Sequence, residues 1–142
     1  MQAPIGNKRT IWLQWVLAST VGLVVGALLS TLIAWLLESQ TEIARKIVPA
    51  AIHGVSIGLT QWLVLRRQIR QAGWWIVASI LGWGLGLALV ESLIKIIDWP
   101  FGSVVGWSMA GMVIGTMQWL VLHRQVPRAR WWILANTVGW IV

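Results

Sequence analysis

Long apolar runs alternate with short polar segments along the whole chain. The runs without charged residues occupy positions 11–37, 47–65, 74–90, 101–122 and 131–142. Because about 20 helical residues cross the roughly 30 Å of hydrocarbon in a bilayer, the first four runs predict membrane spans, with the third extended past Glu91. The last run has only 12 residues. It predicts a fifth span that is incomplete, and the natural chain is expected to continue beyond residue 142.

These runs belong to a repeated unit. Residues 54–83 and 111–140 lie 57 positions apart and are identical at 17 of 30 positions. Spans one, three and five, called type A, contain W-x-x-A-S/N-x-x-G, and spans two and four, called type B, contain G-x-x-x-G-x-x-Q-W-L. The pattern predicts an all-α fold, a single integral membrane helix bundle (1–142) of four full spans and a partial fifth, built from a tandem two-helix repeat.

Composition agrees with a protein that crosses the membrane several times. The chain is 58% hydrophobic and 11% charged, with a mean hydropathy of +0.75. A soluble chain of this length could not bury so much apolar surface in one core. Cysteine is absent, which excludes disulfides and thiolate metal sites. The net charge of +7 does not predict a nucleic-acid partner, because the basic residues flank apolar runs instead of forming a separate patch.

Charged residues are distributed unequally between the two ends of the predicted spans. One end carries eight basic residues and no acid: Lys8, Arg9, Arg66, Arg67, Arg70, Arg124, Arg128 and Arg130. The other end carries three basic residues and all four acids: Arg45, Lys46, Lys95, Glu38, Glu42, Glu91 and Asp98. The positive-inside rule therefore places the N-terminus and the linkers 66–73 and 123–130 in the cytoplasm. At the acidic end, Glu42–Lys46 and Glu91–Lys95 have the i,i+4 spacing of helical ion pairs.

Glycines four residues apart occur in each of the first four spans. The candidate helix-packing glycines are Gly22, Gly26, Gly54, Gly58, Gly82, Gly86, Gly111 and Gly115. In lipid, this spacing lets two helix backbones approach closely and gain van der Waals contact. Packing within the bundle is one interpretation. Association with a helix of another protein is the other, since these pairs outnumber what a small bundle needs.

Two glutamines occupy matching positions near the ends of the type B spans. Gln61 and Gln118 are predicted to be helix-packing residues, because an amide in an apolar helix can hydrogen-bond a neighbouring helix. Their candidate partners are Ser79 and Asn136, which share one position of the type A pattern. Ligation of a cofactor and the lining of a polar path are the alternatives.

Tryptophan is the dominant aromatic residue, with 13 copies. An aromatic belt is predicted near the cytoplasmic boundary, formed by Trp12, Trp15, Trp62, Trp74, Trp75, Trp119, Trp131 and Trp132. Trp83, Trp107 and Trp140 lie deeper, where they can pack in the bundle or contact a flat ligand. His53 is predicted to lie within a span, where it can ligate a chlorophyll magnesium or hydrogen-bond another helix. His53, Trp83 and Trp107 are thus candidate contacts for a pigment or lipid, with chlorophyll, carotenoid and lipid as the candidate cofactors.

The chain has no catalytic signature. It contains no H-E-x-x-H, no G-x-S-x-G and no P-loop, and its four acids all lie outside the predicted spans. No catalytic residue and no metal ligand is therefore predicted, and the protein is expected not to be an enzyme.

One motif string resembles a known family. Q-W-L-V-L-R-R-Q at Gln61–Gln68, followed by G-W-W, A-S and G-W between Gly73 and Trp83, is similar to the repeat of uncharacterised multi-span membrane proteins that are common in cyanobacteria. The resemblance covers essentially the whole chain, although His123 replaces the arginine found at Arg66 in the first copy. It implies no activity or site residue, but it does imply a bacterial plasma membrane or thylakoid membrane.

Two functions from different classes fit these features. The first is a non-catalytic membrane scaffold or accessory subunit, contacting lipid and a protein partner in the membrane; a photosynthetic complex and a bound pigment are included among the candidates. The alternative is a small transporter or channel with an internally duplicated helix hairpin. Anchoring to the anionic inner leaflet through the basic linkers is a third possibility.

Overall fold

The computed structural model describes residues 8–36, 41–97 and 100–141, and every regular element among them is a helix. The helices are α1 (Lys8–Leu36), α2 (Glu42–Leu65), α3 (Trp74–Ile96), α4 (Phe101–Leu122) and α5 (Trp131–Gly139). The predicted all-α helix bundle is therefore confirmed.

Four of these helices have the dimensions of membrane spans. Within the described residues, α1 to α4 are long and apolar enough to cross a bilayer, as expected of an integral membrane protein. Helix α3 continues past Glu91 to Ile96. Helix α5 has nine residues, or about 14 Å of helix, which is less than half of a membrane span.

Neighbouring helices pack where one of them presents glycine. Each helix packs against the next one in the chain, from α1–α2 to α4–α5. All eight candidate glycines lie at these contacts inside the molecule. A Cβ atom placed on Gly54 of α2 would lie 2.6 Å from Ile80 Cα of α3, and one on Gly115 of α4 would lie 2.9 Å from Ile133 Cα of α5. The glycines therefore set the close backbone approach of each pair.

The direction of the glycines repeats along the chain. Gly22 of α1 faces Ile57 of α2, and Gly82, its type A equivalent on α3, faces Ile114 of α4. The type B glycines of α2 and α4 likewise face α3 and α5. Every one of these helices thus presents its glycines to the helix that follows it.

Exchanging Gly54 for alanine tests this packing. The added methyl group meets the α3 backbone, so the free energy of unfolding is expected to fall by about 1–3 kcal/mol. Gly84→Ala on α3 is the matched control, because a Cβ atom there has no neighbour within 4 Å. It is expected to leave stability unchanged or slightly raised, since alanine favours helix. Thermal unfolding in detergent measures both, and equal effects of the two changes would contradict the packing.

The linkers 66–73 and 123–130 lie at one end of the bundle, which we call the basic end. Gln125 ties them together: its Oε1 accepts from the Arg70 backbone N–H at 2.7 Å, and its Nε2 donates to the Arg70 carbonyl at 2.9 Å. Gln71 and Arg128 occupy equivalent positions and both have left-handed backbone, with φ of 59° and 60°. The two linkers therefore repeat in conformation as well as in sequence.

At the opposite end, an ion pair joins α2 to α3. Lys46 Nζ lies 3.2 Å from Glu91 Oε2. The predicted pairing of Glu91 with Lys95 is wrong, because the carboxylate points across to the neighbouring helix. The predicted Glu42–Lys46 pair lies outside the described residues, since the Glu42 side chain is not described, and so do the positions of Glu38 and Asp98.

Exchanging Glu91 for glutamine is expected to lower the free energy of unfolding by less than about 1 kcal/mol. The two side chains of the pair are 40% and 47% exposed, so solvent screens the attraction. Unfolding at low and high salt measures the effect, with Lys95→Gln as the control. A loss that high salt does not reduce would contradict the assignment.

Candidate functional site: the tryptophan-lined interior

A buried amide joins three helices near the basic end. Gln61 of α2 is 7% exposed, and its Nε2 donates to Ser19 Oγ of α1 at 3.0 Å. Its Oε1 accepts from Trp75 Nε1 of α3 at 2.9 Å. Both halves of the amide are thus engaged, as a polar group in an apolar interior requires. We call this arrangement of serine, glutamine and tryptophan a clasp.

The second repeat forms the same clasp. Gln118 of α4 is 2% exposed, and its Nε2 donates to Ser79 Oγ of α3 at 3.2 Å. Its Oε1 accepts from Trp132 Nε1 of α5 at 2.8 Å. Helix α3 therefore contributes the tryptophan of the first clasp and the serine of the second. Ser79 was a candidate partner of the glutamines, whereas Asn136 donates instead to the Trp132 carbonyl at 2.9 Å.

The indoles of the three type A helices meet in one cluster, which we call the tryptophan trio. Trp15, Trp75 and Trp132 have ring centroids 5.6 Å (15–75), 5.8 Å (75–132) and 5.2 Å (15–132) apart, all edge to face. This geometry is the favoured one for aromatic pairs. The nearly equal separations give the basic end an approximate threefold arrangement.

The trio corrects the predicted aromatic belt. Trp75 has no exposed surface and lies in the core, while its neighbour Trp74 is 62% exposed. In the second copy Trp132 is half-buried, whereas Trp131 is exposed. Adjacent helical residues point about 100° apart, and in both pairs the first tryptophan faces outward while the second turns toward the trio. A signal for the buried tryptophan is present in the sequence. Ala78 and Gly82 follow Trp75 by one and two turns on the same helical face, which marks that face as the packed one.

The deeper candidates lie along an aromatic row. Trp83 stacks on His53 at 5.3 Å and meets Trp140 edge to face at 5.2 Å, and Trp140 stacks on Trp107 at 5.6 Å. The candidates His53, Trp83 and Trp107 are thus connected through Trp140. Their faces are largely directed at one another, which is the arrangement expected of aromatic packing.

His53 is anchored through one ring nitrogen. Its Nδ1 lies 3.0 Å from Ser30 Oγ of α1 and 3.0 Å from the Pro49 carbonyl. These contacts orient the ring against Trp83. In the described residues, no group of three or more metal-binding side chains comes together.

A partly open cavity of about 330 Å³ lies among the helices. All five helices contribute to its wall, which includes Gln61, Gln118, Trp83 and Asn136. This volume is at the lower end of the range for small-molecule pockets. Since both glutamines are already bonded in clasps, the polar wall of the cavity is mainly structural.

The series of clasps has two unmatched ends. Trp15 of α1 is equivalent to Trp75 and Trp132, yet among the described residues its indole N–H forms no hydrogen bond. Asn136 of α5 is equivalent to Ser19 and Ser79, yet no described glutamine donates to it. One donor and one acceptor of the pattern therefore lie on α1 and α5 without the glutamine that would join them.

Comparison of the chain with models of protein families, with curated proteins and with solved structures finds no match in any of the three.

Proposed function

We propose that this protein is a non-catalytic scaffold or accessory subunit that packs against a larger membrane complex. The observation that carries the proposal is the unfinished series of clasps. The clasps hold neighbouring helices together inside the bundle. The equivalent groups without a glutamine, the Trp15 N–H on α1 and the Asn136 side chain on α5, are available to another helix. In a bilayer, association of helices depends on such packing and hydrogen bonding, because lipid is as apolar as the helices themselves.

The location of the complex is part of the same proposal. The eight basic residues at one end support a topology with the N-terminus and the linkers 66–73 and 123–130 in the cytoplasm. The resemblance to repeats common in cyanobacteria supports a plasma or thylakoid membrane, and a photosynthetic complex as the partner.

Gentle solubilisation of the tagged chain from its native membrane tests the proposal. The chain is expected to migrate with partner proteins at a mass well above 15.8 kDa. Reciprocal tagging of a recovered partner should return this chain in a fixed ratio. A chain that stays solitary under several mild detergents would contradict the scaffold function.

A bound pigment is the further expectation, carried by His53 and the aromatic row. Here the purified complex should absorb visible light, and His53→Leu should reduce that absorption relative to Trp35→Leu, a change at an exposed position. A colourless complex would remove the pigment from the proposal and leave the scaffold in place.

The cavity among the helices favours a transporter or channel as the second candidate, because both glutamines line it. Against this function, Gln61 and Gln118 are each bonded at both amide atoms, and the tryptophan trio lies beside them. Proteoliposomes containing the chain are therefore expected to show no more flux of ions or small polar solutes than empty ones. Flux that Gln61→Leu with Gln118→Leu abolishes would favour the transporter instead.

A further inference from the structure

The space between α5 and α1, which we call the seam, has the dimensions of a helix site. No close backbone contact joins α1 to α5 among the described residues. Their tryptophans, Trp15 and Trp132, nevertheless lie 5.2 Å apart, much like the 15–75 and 75–132 pairs. Each of those two pairs has a type B helix, α2 or α4, packed between its type A helices. The third pair, Trp15–Trp132, has a similar separation but no type B helix packed between α1 and α5 in the described residues.

The α1 side of the seam matches a surface that already binds a type B helix. On α3, Ile76 and Ile80 receive the glycines of α2. The equivalent residues of α1 are Val16 and Thr20, sixty positions earlier, and both are exposed. On α1 this face therefore has no helix packed against it in the described part of the chain.

The α5 side matches the opposite surface. Gly22 and Gly82 each pack against the type B helix that follows. Their equivalent on α5 is Gly139, and a Cβ atom placed there would meet nothing within 4 Å. Asn136, at the position of the clasp serines, lies one turn before it on the same helix. Both walls of the seam thus repeat the walls that enclose α2 and α4.

We infer that the seam binds one further transmembrane helix with the type B chemistry G-x-x-x-G-x-x-Q, which the proposed scaffold function assigns to a partner protein. Its glycines would pack against Val16 and Thr20. Its glutamine would accept from the Trp15 indole N–H and donate to Asn136. This arrangement completes a third clasp and a ring of three hairpin-like pairs. The inference rests on the proposed scaffold function and names the kind of partner helix that it requires.

A peptide with the sequence of residues 101–125 serves as the probe, because it carries Gly111, Gly115 and Gln118 in the required spacing. The full chain in nanodiscs is expected to bind the labelled peptide saturably and one to one. Replacing glutamine with leucine in the peptide should weaken binding about 3- to 20-fold, the range that one or two lost interhelical hydrogen bonds give. A Gly115→Leu peptide should bind at least tenfold more weakly, since leucine prevents close approach.

Matched variants of the chain locate the binding. Thr20→Trp fills the seam and is expected to abolish peptide binding, whereas Val21→Trp, on the adjacent exposed face of α1, should leave it unchanged. Trp15→Phe keeps an aromatic ring but lacks the donor, so it should weaken binding of the glutamine peptide and not of the leucine peptide. This last readout separates docking in the seam from exchange with the chain's own α4.

Three outcomes would overturn the inference. They are peptide binding that Thr20→Trp does not affect, self-association of the chain that excludes the peptide, and the absence of saturable binding. If Thr20→Trp still co-purifies with the native partner proteins, the scaffold function stands and only the seam is excluded. If the unaltered chain is solitary in its native membrane but binds the peptide, the proposed function fails while the seam remains a helix site.

Discussion

Replacing Trp75 with alanine is expected to lower the free energy of unfolding by about 3–5 kcal/mol, the range for removal of a large aromatic side chain from a core. The indole has no exposed surface, contacts Trp15 and Trp132 in the trio, and donates to Gln61. Alanine would leave a cavity where three helices meet and an amide oxygen without its donor. Steric trapping or thermal unfolding in bicelles would measure the loss.

Trp74→Ala is the matched control for this change. Its side chain is 62% exposed and lies outside the trio, so the expected loss is about 1 kcal/mol or less. Trp75→Phe should fall between the two, because it retains an aromatic ring and loses the N–H donor. Equal losses for Trp74→Ala and Trp75→Ala would mean that neither tryptophan is a core residue.

Removal of both clasp amides is expected to have the second large effect. Gln61→Leu leaves the buried Trp75 N–H without an acceptor, and Gln118→Leu does the same to the half-buried Trp132 N–H; each loss costs up to about 3 kcal/mol, and the loss at Trp75 is expected to be the larger. The two clasps share α3, and their donors Trp75 and Trp132 are in contact, so the double variant should lose more than either single variant without strict additivity, at most about 6 kcal/mol. Equilibrium unfolding in mixed micelles would measure the single and double variants together.

A second substitution at the donor tests the cause of this loss. In Gln61→Leu, the further change Trp75→Phe removes the orphaned N–H, so the second change should cost less than it does in the unaltered chain. A cost that is the same in both backgrounds would show that Gln61 and Trp75 are not coupled. Gln68→Leu, in the exposed linker, is the control for a glutamine outside the clasps.

The membrane helices and the two buried glutamines could be predicted from the sequence for physical reasons. A bilayer demands continuous apolar helices, so four spans and a short fifth segment are readable from run length alone. Gln61 and Gln118 stand out because an amide is rare among apolar residues, and the repeat places both at one position. Their assignment as helix-packing residues depended only on local chemistry.

Of the partners of these glutamines, Ser79 was predicted from its matched position and is confirmed for Gln118, whereas the tryptophan donors were not predicted. Trp74 and Trp75 lie side by side at the same membrane depth, and depth alone does not separate a belt residue from a core residue. The clasp joins residues 42 and 14 positions apart, Ser19 to Gln61 and Gln61 to Trp75, and so depends on which helices are neighbours. The same reason explains the Lys46–Glu91 pair, where contact across two helices replaced contact along one.

The repeat became informative about single residues once the structure showed the surroundings of each copy. Gly139 is one glycine among several in the sequence, and its significance comes from the open space beside it. Trp15 is similarly ordinary until Trp75 and Trp132 are seen to share one kind of hydrogen bond. The proposed scaffold function therefore depends on a comparison between equivalent positions of one chain.

The indole N–H groups of Trp15, Trp75 and Trp132 provide the most direct test of a repeated clasp with one vacant position. Their ¹H–¹⁵N resonances can be assigned by single Trp→Phe changes, and their hydrogen exchange followed in nanodiscs. We expect slow exchange for Trp75 and Trp132, faster exchange for Trp15, and slow exchange at all three sites once the type B peptide is bound. Protection of Trp15 equal to that of the other two in the chain alone, or fast exchange at Trp15 with the peptide bound, would contradict a vacant third clasp.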